Sequence, residues 1–249
     1  KSIWITGASS GIGKALAIKF ANENWQVAVS ARREKLLQDL NKENSNIHAF
    51  PLNVTDLEST KNVFEKILKK FSNIDLCVFG SAIYDPNYEN EINEKKVREI
   101  MEINFFGTVN CIKAVEKYFK IKKQGHISII SSVAGYRGLP KSEGYGASKA
   151  ALNNLTESLY VDFKKYNVRI SLISPGFIKT PMTDKNNFKM PFLRSSEFAA
   201  NKIYKGIVYN NSFEIHFPKQ LTLILKILRI LPYRMYFFLI EKLTKNTKR

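Results

Sequence analysis

Seven apolar runs of strand length recur along the chain, at residues 3–6, 26–30, 47–52, 75–79, 126–131, 168–173 and 213–217, and helical patterns fill the intervals between them. Few folds accept that alternation. Strand, helix and strand in succession predict parallel pairing, and runs apolar on both faces predict a sheet covered by helices on both sides. The expected fold class is α/β, a doubly wound parallel sheet of about seven strands. Residues 1–217 read as its single domain and residues 218–249 as a C-terminal extension. Ligands of such a sheet gather at the carboxyl ends of its strands.

Two motifs lie where that rule would put them. The first strand runs into Thr6-Gly7-Ala8-Ser9-Ser10-Gly11-Ile12-Gly13, and a helical pattern follows. Glycines there permit a tight turn and bring backbone N–H groups close to a pyrophosphate, whose charge a helix N-terminus favours. Far downstream, Tyr145-Gly146-Ala147-Ser148-Lys149 sets a phenol and an ammonium four residues apart, on one face of a helix. A phenol titrates near pH ~10, so it exchanges protons at neutrality only where a nearby cation stabilises the phenolate. Proton exchange at an oxygen is half of interconverting a carbonyl and an alcohol. The other half is a hydride, which needs a cofactor.

The spacing Gly7, Gly11, Gly13, together with the Tyr145–Lys149 motif, resembles the short-chain dehydrogenase/reductase family over roughly residues 1–217. The resemblance implies a Rossmann-like fold and a nicotinamide cofactor on Gly7, Ser9, Ser10, Gly11, Ile12 and Gly13. The second strand ends in Arg32 and Arg33, where an NAD-selective site would offer an acid to the ribose 2′-hydroxyl. A guanidinium there suits a 2′-phosphate, so NADP(H) is expected over NAD(H). By the same resemblance Asn53 and Val54 stand at the adenine, and Tyr145 and Lys149 also touch the cofactor. Pro175, Gly176, Ile178 and Thr180 hold the nicotinamide amide. The family's Asn-Asn-Ala-Gly is replaced by Phe79-Gly80-Ser81-Ala82, which keeps small residues, Ser81 among them, beside the ribose but loses the side-chain amides. The family's catalytic serine lies thirteen residues before its tyrosine, which selects Ser132, with Ser131 as the runner-up. Its asparagine holds a water leading to the lysine, a role that falls to Asn104. Asn104, Ser132, Tyr145 and Lys149 are thus the expected catalytic set, and no metal is expected.

The net charge of +17 invites a polyanionic partner, but no nucleic-acid-binding signature is present and none is expected to bind. Much of the charge is local: residues 219–249 hold eight basic residues against Glu241. Within 221–240, Lys226, Arg229 and Arg234 each cost about 2.5–3.5 kcal/mol in a bilayer core, which cancels about 0.3–0.6 kcal/mol from each large apolar residue. A span gains little. With Lys219, Thr222, Lys226 and Arg229 on one side and Leu223, Leu225, Ile227, Leu228, Ile230 and Leu231 around the rest, an interfacial helix on an anionic membrane is expected, broken at Pro232. An oligomer contact or a helix packed over the substrate pocket is the alternative.

Cys77 and Cys111 lack metal spacing and read as reduced core thiols of a cytoplasmic protein, peripheral at the inner face of a membrane through 219–240. Met182, Phe188, Met190, Phe192 and Leu193 make 181–196 too apolar for an idle loop. That stretch reads as a substrate lid, or else as a loop packed permanently on the core. The expected activity is hydride transfer between NADP(H) and a hydrophobic, lipid-like or ring, ketone or aldehyde, by a homodimer or homotetramer. The alternative is a cofactor-binding protein with reduced catalysis that acts as a membrane-associated interaction module.

Overall fold

The structure, a computed structural model, describes residues 1–86 and 91–244. Lys245, Lys248 and Arg249 of the basic extension lie outside the described residues. The chain forms β1 (Ser2–Thr6), α1 (Gly11–Asn22), β2 (Gln26–Ser30), α2 (Glu34–Glu43), β3 (Ile47–Ala49), α3 (Leu57–Phe71), β4 (Leu76–Phe79) and α4 (Glu94–Met101). A π-helical turn, Glu102–Phe106, joins α4 to α5 (Gly107–Lys122). Then come β5 (Gly125–Ile130), α6 (Glu143–Lys164), β6 (Val168–Pro175), α7 (Ser196–Val208), β7 (Glu214–Phe217), α8 (Lys219–Ile230) and α9 (Tyr233–Thr244).

All seven strands are parallel, in the order β3-β2-β1-β4-β5-β6-β7. The period-two alternation of β1 divides the core. Ile3 and Ile5 join Leu16 and Phe20 of α1, Leu37 of α2 and Ile203 of α7 on one face. Trp4 points the other way, among Phe64 of α3, Cys111 and Phe119 of α5 and Leu152 of α6. Both faces are covered, so β1 is buried at every position. Successive strands run outward from β1 to β3, then resume on its other side at β4. The carboxyl ends of β1 and β4 therefore open a crevice.

Side-chain caps fix several helix starts, with Asp56 accepting from Ser59 N, Asn93 from Lys96 N and Ser195 from Phe198 N. The third strand is shorter than expected. Pro51 has no N–H, so the ladder lapses after Ala49 even though Phe50 and Leu52 still donate to Val29 and Ala31. The sixth runs on to Pro175, because β7 pairs with it through Pro175↔Phe217.

The C-terminal hairpin turns at Pro232 as expected but is oriented by its polar stripe. Glu214 and His216 of the edge strand β7 offer partners, so Lys226 pairs with Glu214, and Lys219 and Thr222 hydrogen-bond His216. Thr222 is buried. Lys219, Thr222 and Lys226 of the stripe read as a headgroup-facing side thus turn to the protein, though Lys219, like Arg229, stays exposed. Leu225, Leu228, Leu231, Tyr236, Leu239 and Ile240 form a small core with Leu139. Among the described residues no helix is long and apolar enough to cross a membrane.

Candidate active site

The crevice is a cleft of about 690 Å³ at the carboxyl end of the sheet. At one end lies the turn after β1. Gly7 has φ +74, and a Cβ there would stand 2.6 Å from Gly80 O; one on Gly13 would stand 2.3 Å from Gly7 O. Only hydrogen fits at either place, so the backbone itself lines the cleft. Helix α1 begins without a side-chain cap and with no acid in its first turn, which leaves its N-terminal field undiminished toward an anion. Arg33 bridges this turn, donating to Ser9 Oγ (2.7 Å) and Ser10 Oγ (2.8 Å), while Arg32 lies exposed on the rim. Asn53 and Val54 line the same end. The Asn53 carboxamide oxygen accepts from Thr55 N at 3.3 Å.

At the other end, α6 carries Tyr145 and Lys149 on its inward face. The loop after β5 is pinned to that helix: Ser131 Oγ donates to Lys149 O (3.0 Å), and Asn153 Nδ2 donates to Gly135 O (2.9 Å). A Cβ on Gly135 would stand 2.7 Å from the Lys149 carbonyl. With Ser131 buried and spent on that anchor, Ser132 is the serine whose hydroxyl reaches the phenol. Ser132 Oγ also accepts from Ala134 N. Burial pushes the Tyr145 phenol up to about 12, with the hydrogen bond from Ser132 pulling the other way. Lys149 is 2% exposed, and burial lowers its amine to about 7. Its Nζ donates to Ile130 O (2.9 Å) and lies 5.5 Å from the centre of the Tyr145 ring. The ammonium thus borders the phenol without bonding it, and at neutral pH the phenol keeps its proton.

Every residue expected at the cofactor lines this cleft, as do Ser132, Tyr145 and Lys149. Ser81 sits in the wall after β4, and Gly80 N donates to Thr6 Oγ1. Thr180 faces Gly11, where a Cβ would stand 3.0 Å from its methyl group. Pro175, Gly176 and Ile178 form the floor. Asn104 lies behind the wall, fully buried in the π turn. Its carboxamide accepts from Ile83 N (2.8 Å) and donates to Ile83 O (3.0 Å) and Ser148 Oγ (3.1 Å).

That clamp sets up a residue the motifs do not point to. Tyr84, next to Ile83, packs edge-on against Tyr145 with ring centres 5.0 Å apart, and its hydroxyl donates to Asn186 of the 181–196 stretch. No spacing rule marks it; only its place just after the fourth strand does. Within that stretch Pro181, Met182, Thr183 and Lys185 line the cleft, whereas Phe188 packs on Phe177.

Comparison with known proteins agrees with this geometry. Residues 1–190 match the family model for short chain dehydrogenase. An uncharacterized oxidoreductase of Myxococcus xanthus is 34% identical over 93% of both chains. The 3-oxoacyl-(acyl-carrier-protein) reductase FabG of Thermotoga maritima is 34% identical over 73% of this chain and 75% of its own. Among solved structures, ElxO with NADP bound is 29% identical, with a TM-score of 0.78 over 87% of this chain and 97% of that one. The chain therefore belongs to the short-chain dehydrogenase/reductase family of oxidoreductases.

Proposed function

We propose that the protein reduces a hydrophobic ketone or aldehyde with NADPH. The observation that carries this reading is a single cleft with a hydroxyl, a phenol and an ammonium at one end and two arginines beside a glycine cradle at the other. The cradle fits a dinucleotide because Gly7 and Gly13 leave no side chain where a pyrophosphate would lie. Among the described residues no side-chain hydrogen bond or ion pair engages the Arg32 guanidinium, and with Arg33 it suits a ribose 2′-phosphate. ElxO, a relative of known fold, binds NADP. A bound nicotinamide would supply the hydride.

The residues of this chain perform the rest. Ser132 donates a hydrogen bond to the carbonyl oxygen as negative charge develops on it. Tyr145, held protonated by burial, gives its proton to that oxygen. Lys149, about half-protonated at neutrality, stabilises in its charged form the phenolate left behind and is placed to bind the ribose. Asn104 fixes the Ile83 peptide, and its main-chain oxygen, which accepts from Thr108 Oγ1, is the atom assigned to the relay water. Met182, Ile83 and Tyr84 give the substrate end an apolar and aromatic lining, and 181–196 closes over it.

The test is turnover of a panel of hydrophobic ketones and aldehydes with NADPH and NADH. Tyr145→Phe is expected to lower kcat by roughly 10²–10⁴-fold while still binding NADPH, and Arg32→Ala to weaken NADPH alone. Full turnover by Tyr145→Phe would overturn the mechanism. The altered wall Phe79–Ala82 favours a second reading, a cofactor-binding protein with reduced catalysis. NADPH binding without turnover of any panel member would select it.

A further inference from the structure

Half of the large apolar side chains exposed among the described residues, nine of eighteen, lie on α8 and α9. On α8 they are Leu223, Ile224, Ile227 and Ile230, a single helical face, with Ile230 81% exposed. On α9, Met235, Phe237 and Phe238 share the outward face with Arg234 and Lys242. This is the reverse of an ordinary surface helix. The polar stripe of α8 is consumed by Glu214 and His216, so its apolar side has nowhere to point but outward. Neither helix is loosely attached. Arg137 donates to the carbonyls of Leu228 and Leu231, its guanidinium lies 3.9 Å from the Tyr236 ring centre, and the Tyr236 hydroxyl donates to Gly138 O. A firmly held, outward apolar surface of this size is uncommon on a monomer and marks a docking site.

We infer that the outward faces of α8 and α9 dock onto an anionic lipid bilayer, which holds the protein at the membrane surface without crossing it. Charge chooses this occupant. Beside the apolar side chains the exposed charges are Arg229, Arg234 and Lys242 against Glu241, a basic excess that a second copy would meet with its own, whereas an anionic headgroup layer supplies the opposite sign. Aromatic and aliphatic tips would enter the acyl boundary, with the arginines and lysine at headgroup level. The proposal goes beyond the chemistry assigned to the cleft and stands independently of it.

Flotation of the full chain tests it, with vesicles of phosphatidylcholine plus phosphatidylglycerol against phosphatidylcholine alone. The wild type is expected to float with the anionic vesicles and to release from them as salt is raised. Ile227→Glu with Phe238→Glu, both exposed, is expected to cut binding at least about tenfold, with an unchanged thermal midpoint. Arg234→Glu with Lys242→Glu, a second variant that leaves the apolar side chains in place, is expected to remove the preference for anionic lipid, roughly fivefold per charge. Wild type that stays below the gradient with anionic vesicles overturns the proposal, as does equal flotation by either double variant. Loss of an oligomer in Ile227→Glu/Phe238→Glu, with no flotation of the wild type, would assign the face to a second copy instead.

Discussion

The two ends of the cleft are built from different materials. At the phosphate end the walls are backbone, and the residues that matter are those that lack side chains: Gly7 and Gly13 each stand within 2.6 Å of a neighbouring carbonyl, measured from where a Cβ would be. At the catalytic end the walls are side chains held by other side chains. Tyr145 meets Tyr84 and Ser132, Ser132 rides on a loop anchored by Ser131, and Tyr84 is tied to Asn186. A backbone site binds whatever fits one fixed shape. A side-chain site is adjustable, which is where a family sharing one cofactor would vary its substrates.

If that contrast is real, the phosphate end should fail abruptly and the catalytic end by degrees. Gly13→Ala places a Cβ against the Gly7 carbonyl, which no rotamer change relieves, so it should destabilise the fold by about 3 kcal/mol. NADPH affinity, measured by titration, should fall about 100-fold. At the catalytic end Lys149 should register as a pH dependence. Its amine falls from an ordinary 10.5 to about 7 in the folded chain. Between those values the unfolded chain binds a proton that the folded chain has released, so stability rises with pH, by up to about 1.4 kcal/mol per unit. Lys149→Met should lack that rise in urea unfolding across the window, while wild type shows it; parallel curves would place the amine in a wetter site than the geometry gives. The smallest effect belongs to Tyr84→Phe, which keeps the ring on Tyr145 and removes the bond to Asn186. About 1 kcal/mol, roughly a fivefold rise in KM with kcat retained, is expected from steady-state kinetics.

The same contrast governs what can be read from the sequence. A glycine that must be a glycine leaves a letter, and the turn after β1 was visible for that reason. So was the parallel sheet of seven strands, since apolar runs between helices admit little else, though the order of its strands was not. Ser131 and Ser132 were separable only by a family count, because what distinguishes them is that Ser131 donates to the Lys149 carbonyl across the fold. Tyr84 was invisible, as its partners lie 61 and 102 residues away. The amphipathic pattern of α8 was legible but its direction was not. A helical wheel shows two sides, and which one meets the protein depended on Glu214 and His216 standing on the edge strand beneath it.

The π turn at Glu102–Phe106 works as a phase corrector. Ile100, Asn104, Thr108 and Ile112 are all buried and fall four residues apart. A regular α-helix turns about 100° per residue, so each such step overshoots a full turn by about 40°. Over three steps an unbroken helix would carry this stripe a third of the way around its own axis, away from the sheet. One wider turn, with its extra residue, takes up most of that drift. A single helical rod can then present an amide to the wall of the cleft at one level and a continuous apolar edge to the core below it.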